Sequence, residues 1–205
     1  MSHISADDLS LHVTTPPIFA QRVGPADNIV REFTYAILAY DTEKDGYVKI
    51  GEMEVGVVDL GLAWNERQSL AEACESHSDQ YHEMESALFT RQGSFKQVVR
   101  KALGDSLFDT EGLMYIETLF IDPAHRGKKL GRAALYALMR YGTMGCGSIF
   151  LKAHPFTEDT SRSEKKRERD CAALRNYYEG LGFARVSNTN FMGICLNYDL
   201  PALQD

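Results

Sequence analysis

A chain of 205 residues with 44% hydrophobic content is long enough to bury one full core, and its length predicts a single domain over residues 1–205. The formal net charge of −7 argues against a nucleic-acid binder whose whole surface tracks phosphates, because such domains are usually basic. Cys74, Cys146, Cys171 and Cys195 stand far apart with no C-x-x-C pair, so they read as reduced, mostly buried thiols and suggest neither a zinc site nor a disulfide framework.

Met1 to Gly24 has no basic start followed by an apolar stretch, and no later run is long and apolar enough to cross a bilayer. The expectation is a cytoplasmic protein with no membrane partner. Residues 1–28, with Pro16, Pro17 and Pro25 and few periodic apolar positions, read as an extended arm. Ile29 to Tyr40 and Tyr47 to Leu60 are rich in Val, Ile and Tyr around the turn Glu43 to Gly46, which predicts a hairpin. Gly51 interrupts the second strand where the apolar positions change parity, so a bulge is expected there.

Asn65-Glu66 reads as a helix start, with helix to Thr90 broken near Ser76 to Ser78, and a further helix runs from Ser94 to Gly104. Trp64, at the strand-to-helix junction, reads as a core residue, with lining of an acceptor site as the alternative. Leu113 to Ile121 is nearly continuously apolar and closes at Asp122-Pro123, the pattern of a buried central strand. Gly131 to Tyr141 carries Ala134, Leu135, Leu138 and Met139 on one face, a helix stopped by Gly142. Ser148 to Ala153 is a strand. Ser163 onward is a helix whose stripe is Cys171, Leu174, Tyr178 and Leu181, and the strands Phe183 to Val186 and Phe191 to Asp199 close a mixed α/β domain.

The turn Ile121-Asp-Pro-Ala-His-Arg-Gly-Lys-Lys-Leu-Gly-Arg132 joins the buried strand to a helix. Amides at a helix start lack intrahelical partners and, with the macrodipole, favour phosphate oxygens; Arg126, Lys128, Lys129 and Arg132 add countercharge. A solvated basic loop is the plainer alternative. Taken together, Tyr-Ile-Glu-Thr-Leu-Phe-Ile-Asp-Pro ending at Pro123, His-Arg-Gly-Lys-Lys-Leu-Gly ending at Gly131, and Asn176-Tyr-Tyr-Glu-Gly-Leu-Gly-Phe183 resemble the two signature segments of the GNAT superfamily of acyl-CoA-dependent N-acyltransferases. The resemblance covers about residues 113–186, the expected coenzyme-binding core.

It implies an α/β (α+β) GNAT-like fold: a central mixed, mostly antiparallel sheet, splayed at the coenzyme site and flanked by helices. It also implies an N-acetyltransferase that passes acetyl from acetyl-CoA directly to a primary amine, either a small molecule or a lysine side chain. In such enzymes the turn amides hold the CoA pyrophosphate, which by motif match falls on Arg126, Gly127, Lys128, Lys129, Leu130 and Gly131, with Arg132 beside them. Leu119 and Phe120 lie along the pantetheine, the N–H of Ile121 polarises the thioester, and Asn176 joins the coenzyme set. Tyr178 matches the tyrosine that protonates the departing thiolate; without the motif it would read as a core tyrosine.

Glu117 interrupts an apolar strand, where desolvation would raise its pKa toward that of a general base, and it resembles the glutamate of polyamine acetyltransferases in the superfamily. A structural carboxylate paired to an arginine or a backbone N–H is the equal alternative. The sequence departs from the family pattern in three places. Lys129 replaces the second turn glycine, Cys171 replaces an asparagine, and a hairpin precedes the front helices. Lys165 to Arg169 reads as a solvated charge run. His77, His82 and His154 lack ligand spacing, so no metal is expected. An inactive acyl-CoA sensor of the same fold is the alternative function, and pairing of two copies into a homodimer stays open.

Overall fold

The computed structural model describes residues 9–14, 29–65, 69–105, 107, 111–155 and 163–196. Seven strands form one sheet in the order β1-β2-β3-β4-β5-β7-β6. They are β1 (Leu9–Val13), β2 (Val30–Asp41), β3 (Gly46–Asp59), β4 (Gly112–Ile121), β5 (Ser148–Lys152), β6 (Ala184–Arg185) and β7 (Phe191–Cys195). All neighbours run antiparallel except β4 and β5. The helices are α1 (Leu60–Asn65), α2 (Leu70–His77), α3 (Asp79–Leu88), α4 (Gln97–Leu103), α5 (Leu130–Tyr141) and α6 (Glu164–Glu179). The mixed, mostly antiparallel sheet flanked by helices is the expected fold.

Each face of the sheet buries its own core. One is built from inward residues of β2 to β5 against Leu130, Ala134, Leu135 and Leu138 of α5, with Leu174 and Tyr178 of α6 packed on it. The other sets Val58, Leu113, Tyr115 and Phe150 against Leu70, Tyr81, Met84, Leu88 and Val99 of the front helices. The alternating strands supply both faces, because successive side chains point to opposite sides. All four cysteines are buried thiols, Cys146 in the first core and Cys74 in the second.

Three expectations need correcting. Part of the arm is a strand: Leu9–Val13 pairs with β2, because Leu9 and Leu11 alternate onto the first core. The rest of the arm, 1–8 and 15–28, lies outside the described residues, as does the end of the last strand at 197–199. The helical region begins at Leu60 and not at Asn65, since the Asp59 carboxylate accepts the Leu62 N–H at 2.8 Å and caps a short helix. That helix buries Leu60 and Ala63 and leaves Trp64 48% exposed, so Trp64 is not a core residue. The next helix starts from Ser69, whose hydroxyl accepts from Glu72 N–H. The break expected near Ser76 to Ser78 falls at Ser78, which ends α2 and caps α3.

Two bulges shape the sheet. Ile37 faces Gly51 while Leu38 faces Lys49, so Ile50 is the extra residue on β3, beside the expected position. On β4, Glu54 faces Thr118 while Val55 faces Ile116, which makes Glu117 the extra residue. The β4 and β5 pairing runs only from Leu113↔Ser148 to Ile116↔Leu151. The two strands part company at the residue where β4 bulges.

Candidate active site

A cavity of about 670 Å³ opens where β4 and β5 separate. Glu117, Leu119 and Tyr178 all line it, so the structure brings the two expected catalytic residues to one space. Glu117 bonds to a residue of the front-helix core and Tyr178 packs on the other core. The gap in the sheet therefore lies between the two cores.

Glu117 is held by a residue that the sequence reading did not find. The hydroxyl of Tyr81, fully buried on α3, donates to Glu117 Oε1 at 2.6 Å. Room for that hydroxyl comes from Gly56 on β3: a Cβ there would lie 1.6 Å from the Tyr81 oxygen. Burial raises the Glu117 pKa first; the Tyr81 bond opposes this, and the charges of Glu32 and Glu54 raise it further. Burial, then Glu117 itself, pushes the Tyr81 phenol well above its usual range. Tyr81 also makes an edge contact with Tyr115 and with His77, whose Nε2 lies 2.8 Å from Glu32 Oε1. Among the described residues the side-chain bond of Glu117 is to a phenol, not to a cation.

Tyr178 sits on the inner side of α6 with its ring against Phe183 and Tyr177. Burial, and then Tyr177, pushes its hydroxyl up to about 12, so it keeps its proton at neutral pH. Asn176 on the same helix is exposed and does not line the cavity.

Beyond the bulge, β4 has no strand partner on its β5 side among the described residues. The Asp122 N–H bonds Ile50 O on the β3 side, so alternation turns the peptide groups of Phe120 to β3 and those of Leu119 and Ile121 to the open edge. Consistently, Ile121 O accepts from Arg126 Nε at 2.7 Å, and the Arg126 guanidinium lies 5.2 Å from the centre of the Phe120 ring. Leu119 lines the cavity and Ile121 does not.

The turn after β4 winds through two left-handed residues, Gly127 at φ 75° and Lys129 at φ 59°. The second is costly for a residue with a Cβ, which accounts for glycine being usual at this place in the motif. Lys129 precedes Leu130, the first residue of α5, and caps that helix with no side-chain bond. The first backbone bond here is Ala133 N–H to Lys129 O at 3.1 Å, leaving the amides of Leu130, Gly131 and Arg132 facing outward at the positive end of the helix. Arg126, Lys128 and Lys129 are exposed around them, and Arg132 lies over the Tyr136 ring. This is the geometry of an anion cradle at the mouth of the β4 open edge.

Among the described residues no group of three or more His, Cys, Asp or Glu could hold a metal, and no helix is long and apolar enough to cross a membrane.

No curated protein matches the chain. Solved structures similar in shape include a KacTA–DNA complex, at 14% identity and TM-score 0.43 over 92% of this chain and 94% of the other. An agmatine N-acetyltransferase variant in its apo form matches at 17% identity and TM-score 0.38, over 73% and 58%. The Drosophila melanogaster polyamine N-acetyltransferase matches at 13% and 0.39, over 79% and 74%. These low scores add nothing to the assignment, which rests on sequence. The model of the Acetyltransferase (GNAT) family matches residues 66–183, more than half of the chain and including the turn, Glu117 and Tyr178. The chain belongs to the GNAT acetyltransferase family.

Proposed function

We propose that the protein transfers acetyl from acetyl-CoA to a primary amine in a ternary complex, with Glu117 as base and Tyr178 as acid. The observation that carries this reading is the single cavity lined by both residues at the point where β4 leaves β5. The Leu130 to Arg132 amides, with Arg126, Lys128 and Lys129, take the pyrophosphate, and the open β4 edge takes the pantetheine. Because Leu119 lines the cavity and Ile121 does not, the N–H that polarises the thioester is assigned to Leu119, two residues before the position expected from the motif.

Glu117 accepts a proton from the incoming ammonium, directly or through one water, which frees the nitrogen lone pair to attack the carbonyl carbon. The Leu119 N–H then stabilises the oxyanion. When the C–S bond breaks, Tyr178 gives its proton to the sulfur; the burial that holds the tyrosine proton also raises the proton affinity of a desolvated thiolate.

The test pairs calorimetric binding of acetyl-CoA with release of free thiol in the presence of a panel of amines. Binding with acceptor-dependent thiol release supports the proposal. Binding with no release from any amine supports an acyl-CoA sensor instead, and no binding removes the coenzyme assignment.

A further inference from the structure

Beside the catalytic cavity lies a second hollow of about 590 Å³, and the two share Glu83, Lys152 and His154 in their walls. Helix α6 forms the partition. With 3.6 residues per turn, Asp170, Leu174 and Tyr178 make one row and Arg167, Cys171 and Arg175 make the adjacent row, about 100° round the helix. The first row lines the catalytic cavity and the second lines the hollow.

Arg185, just before the turn to β7, supplies a third guanidinium. Among the described residues none of the three arginines has a carboxylate partner. Arg175 Nη1 donates to Asn190 Oδ1 at 2.5 Å and Arg185 Nε to Thr189 O at 3.1 Å. Arg167 Nη2 lies 3.5 Å from His154 Nε2, whose Nδ1 is 3.1 Å from the Pro155 carbonyl. Those contacts orient the guanidiniums and leave N–H groups on each without an acceptor, since arginine carries five. Glu83 is neutralised by Lys152, with both carboxylate oxygens within 2.7 Å of Nζ, and the exposed Glu164 and Glu168 are the remaining acids in the wall.

We propose that this hollow is a subsite for an anionic group, a phosphate or a carboxylate, carried by the acceptor whose amine enters the neighbouring cavity. The acceptor is then a compound with a primary amine at one end and an anionic oxygen group at the other, long enough to reach from one row of α6 to the next. The charge layout matches such a molecule end for end. Glu117 and Asp170 line the amine side, and the three arginines line the other. Only the amine end of this inference rests on the function proposed above.

The experiment compares four acceptors of equal chain length: an alkylamine, a diamine, an ω-amino carboxylate and an ω-aminoalkyl phosphonate. The anionic pair should exceed the neutral amine in kcat/KM by about tenfold or more, the worth of one charge-assisted contact. Arg185→Gln and Arg167→Gln should abolish that preference and leave the neutral amine unchanged. The ratio between carboxylate and phosphonate identifies which anion fits. Calorimetric binding of the phosphonate and the alkylamine to the CoA-loaded protein reads the same preference without turnover, so loss of catalysis alone does not touch the inference. Equal handling of neutral and anionic acceptors in both assays, preference for the diamine, or variants that weaken every acceptor alike would overturn it.

Discussion

Replacing Tyr81 by Phe removes one oxygen from the interior and leaves the ring in its packing against Tyr115 and His77. The lost bond is short, 2.6 Å, and its acceptor is the group assigned as the base. A hydrogen bond to a charged group contributes about 1.5–3 kcal/mol, roughly a factor of ten to a hundred in an equilibrium. The bond favours the ionised carboxylate, whereas burial, Glu32 and Glu54 favour the protonated form. Without the phenol, Glu117 therefore holds its proton to higher pH. The rate in the acidic limb of kcat/KM should fall about tenfold, and the variant should approach wild type as pH rises. Acetyl-CoA affinity should not change, because Tyr81 is remote from the turn in sequence and fold. The assay is thiol release across pH with calorimetry alongside. A uniform loss at every pH, with the limb unmoved, would refute the reasoning and make Tyr81 a packing residue.

Lys129→Gly relieves a left-handed side chain and should leave CoA affinity unchanged or tighter in calorimetry; a drop of tenfold or more would show that the Lys129 amine itself holds phosphate. Tyr178→Phe should keep coenzyme affinity and lower kcat by about two to four powers of ten, and normal turnover would leave the thiolate to be protonated by water. Glu117→Gln should stabilise the fold in a pH-dependent way. The folded-state pKa of Glu117 is raised, so its stability contribution is present in acid and is lost as pH rises through that pKa. The neutral amide avoids this loss, so the gain in Tm over wild type should be larger at pH 8 than at pH 5. An equal gain at both would place the carboxylate in an unperturbed setting.

The proposed coenzyme half of the site was legible in the sequence because its parts are local. The turn from Arg126 to Arg132 combines positive charge, glycine and a helix start within seven residues, and Tyr178 follows from helical spacing and motif. Glu117 stood out as a charge in an apolar strand, but its bulge depends on register with β3, which a single strand does not reveal. Tyr81 was missed because the contact spans 36 residues, and its one local trace is Gly56, a missing side chain on another strand. In the front half, Asp59 ends β3 as read, but its carboxylate also caps a helix that the sequence does not announce, which moved the helical region forward and exposed Trp64. Arg167 lies in a charge run that looked merely solvated; its relation to Arg185 depends on the return of the chain through β6 and β7.

The central claim is that Glu117 acts as base for an acetyl transfer in the cavity between β4 and β5. Its most direct measurement is single-turnover thiol release from preloaded acetyl-CoA on adding a primary amine, comparing wild type with Glu117→Gln at matched coenzyme occupancy. The account predicts equal acetyl-CoA affinity and a rate lowered by about two to four powers of ten, with the acidic limb of the pH profile abolished in the variant. Equal rates at matched occupancy would contradict it and leave Glu117 as a structural partner of Tyr81.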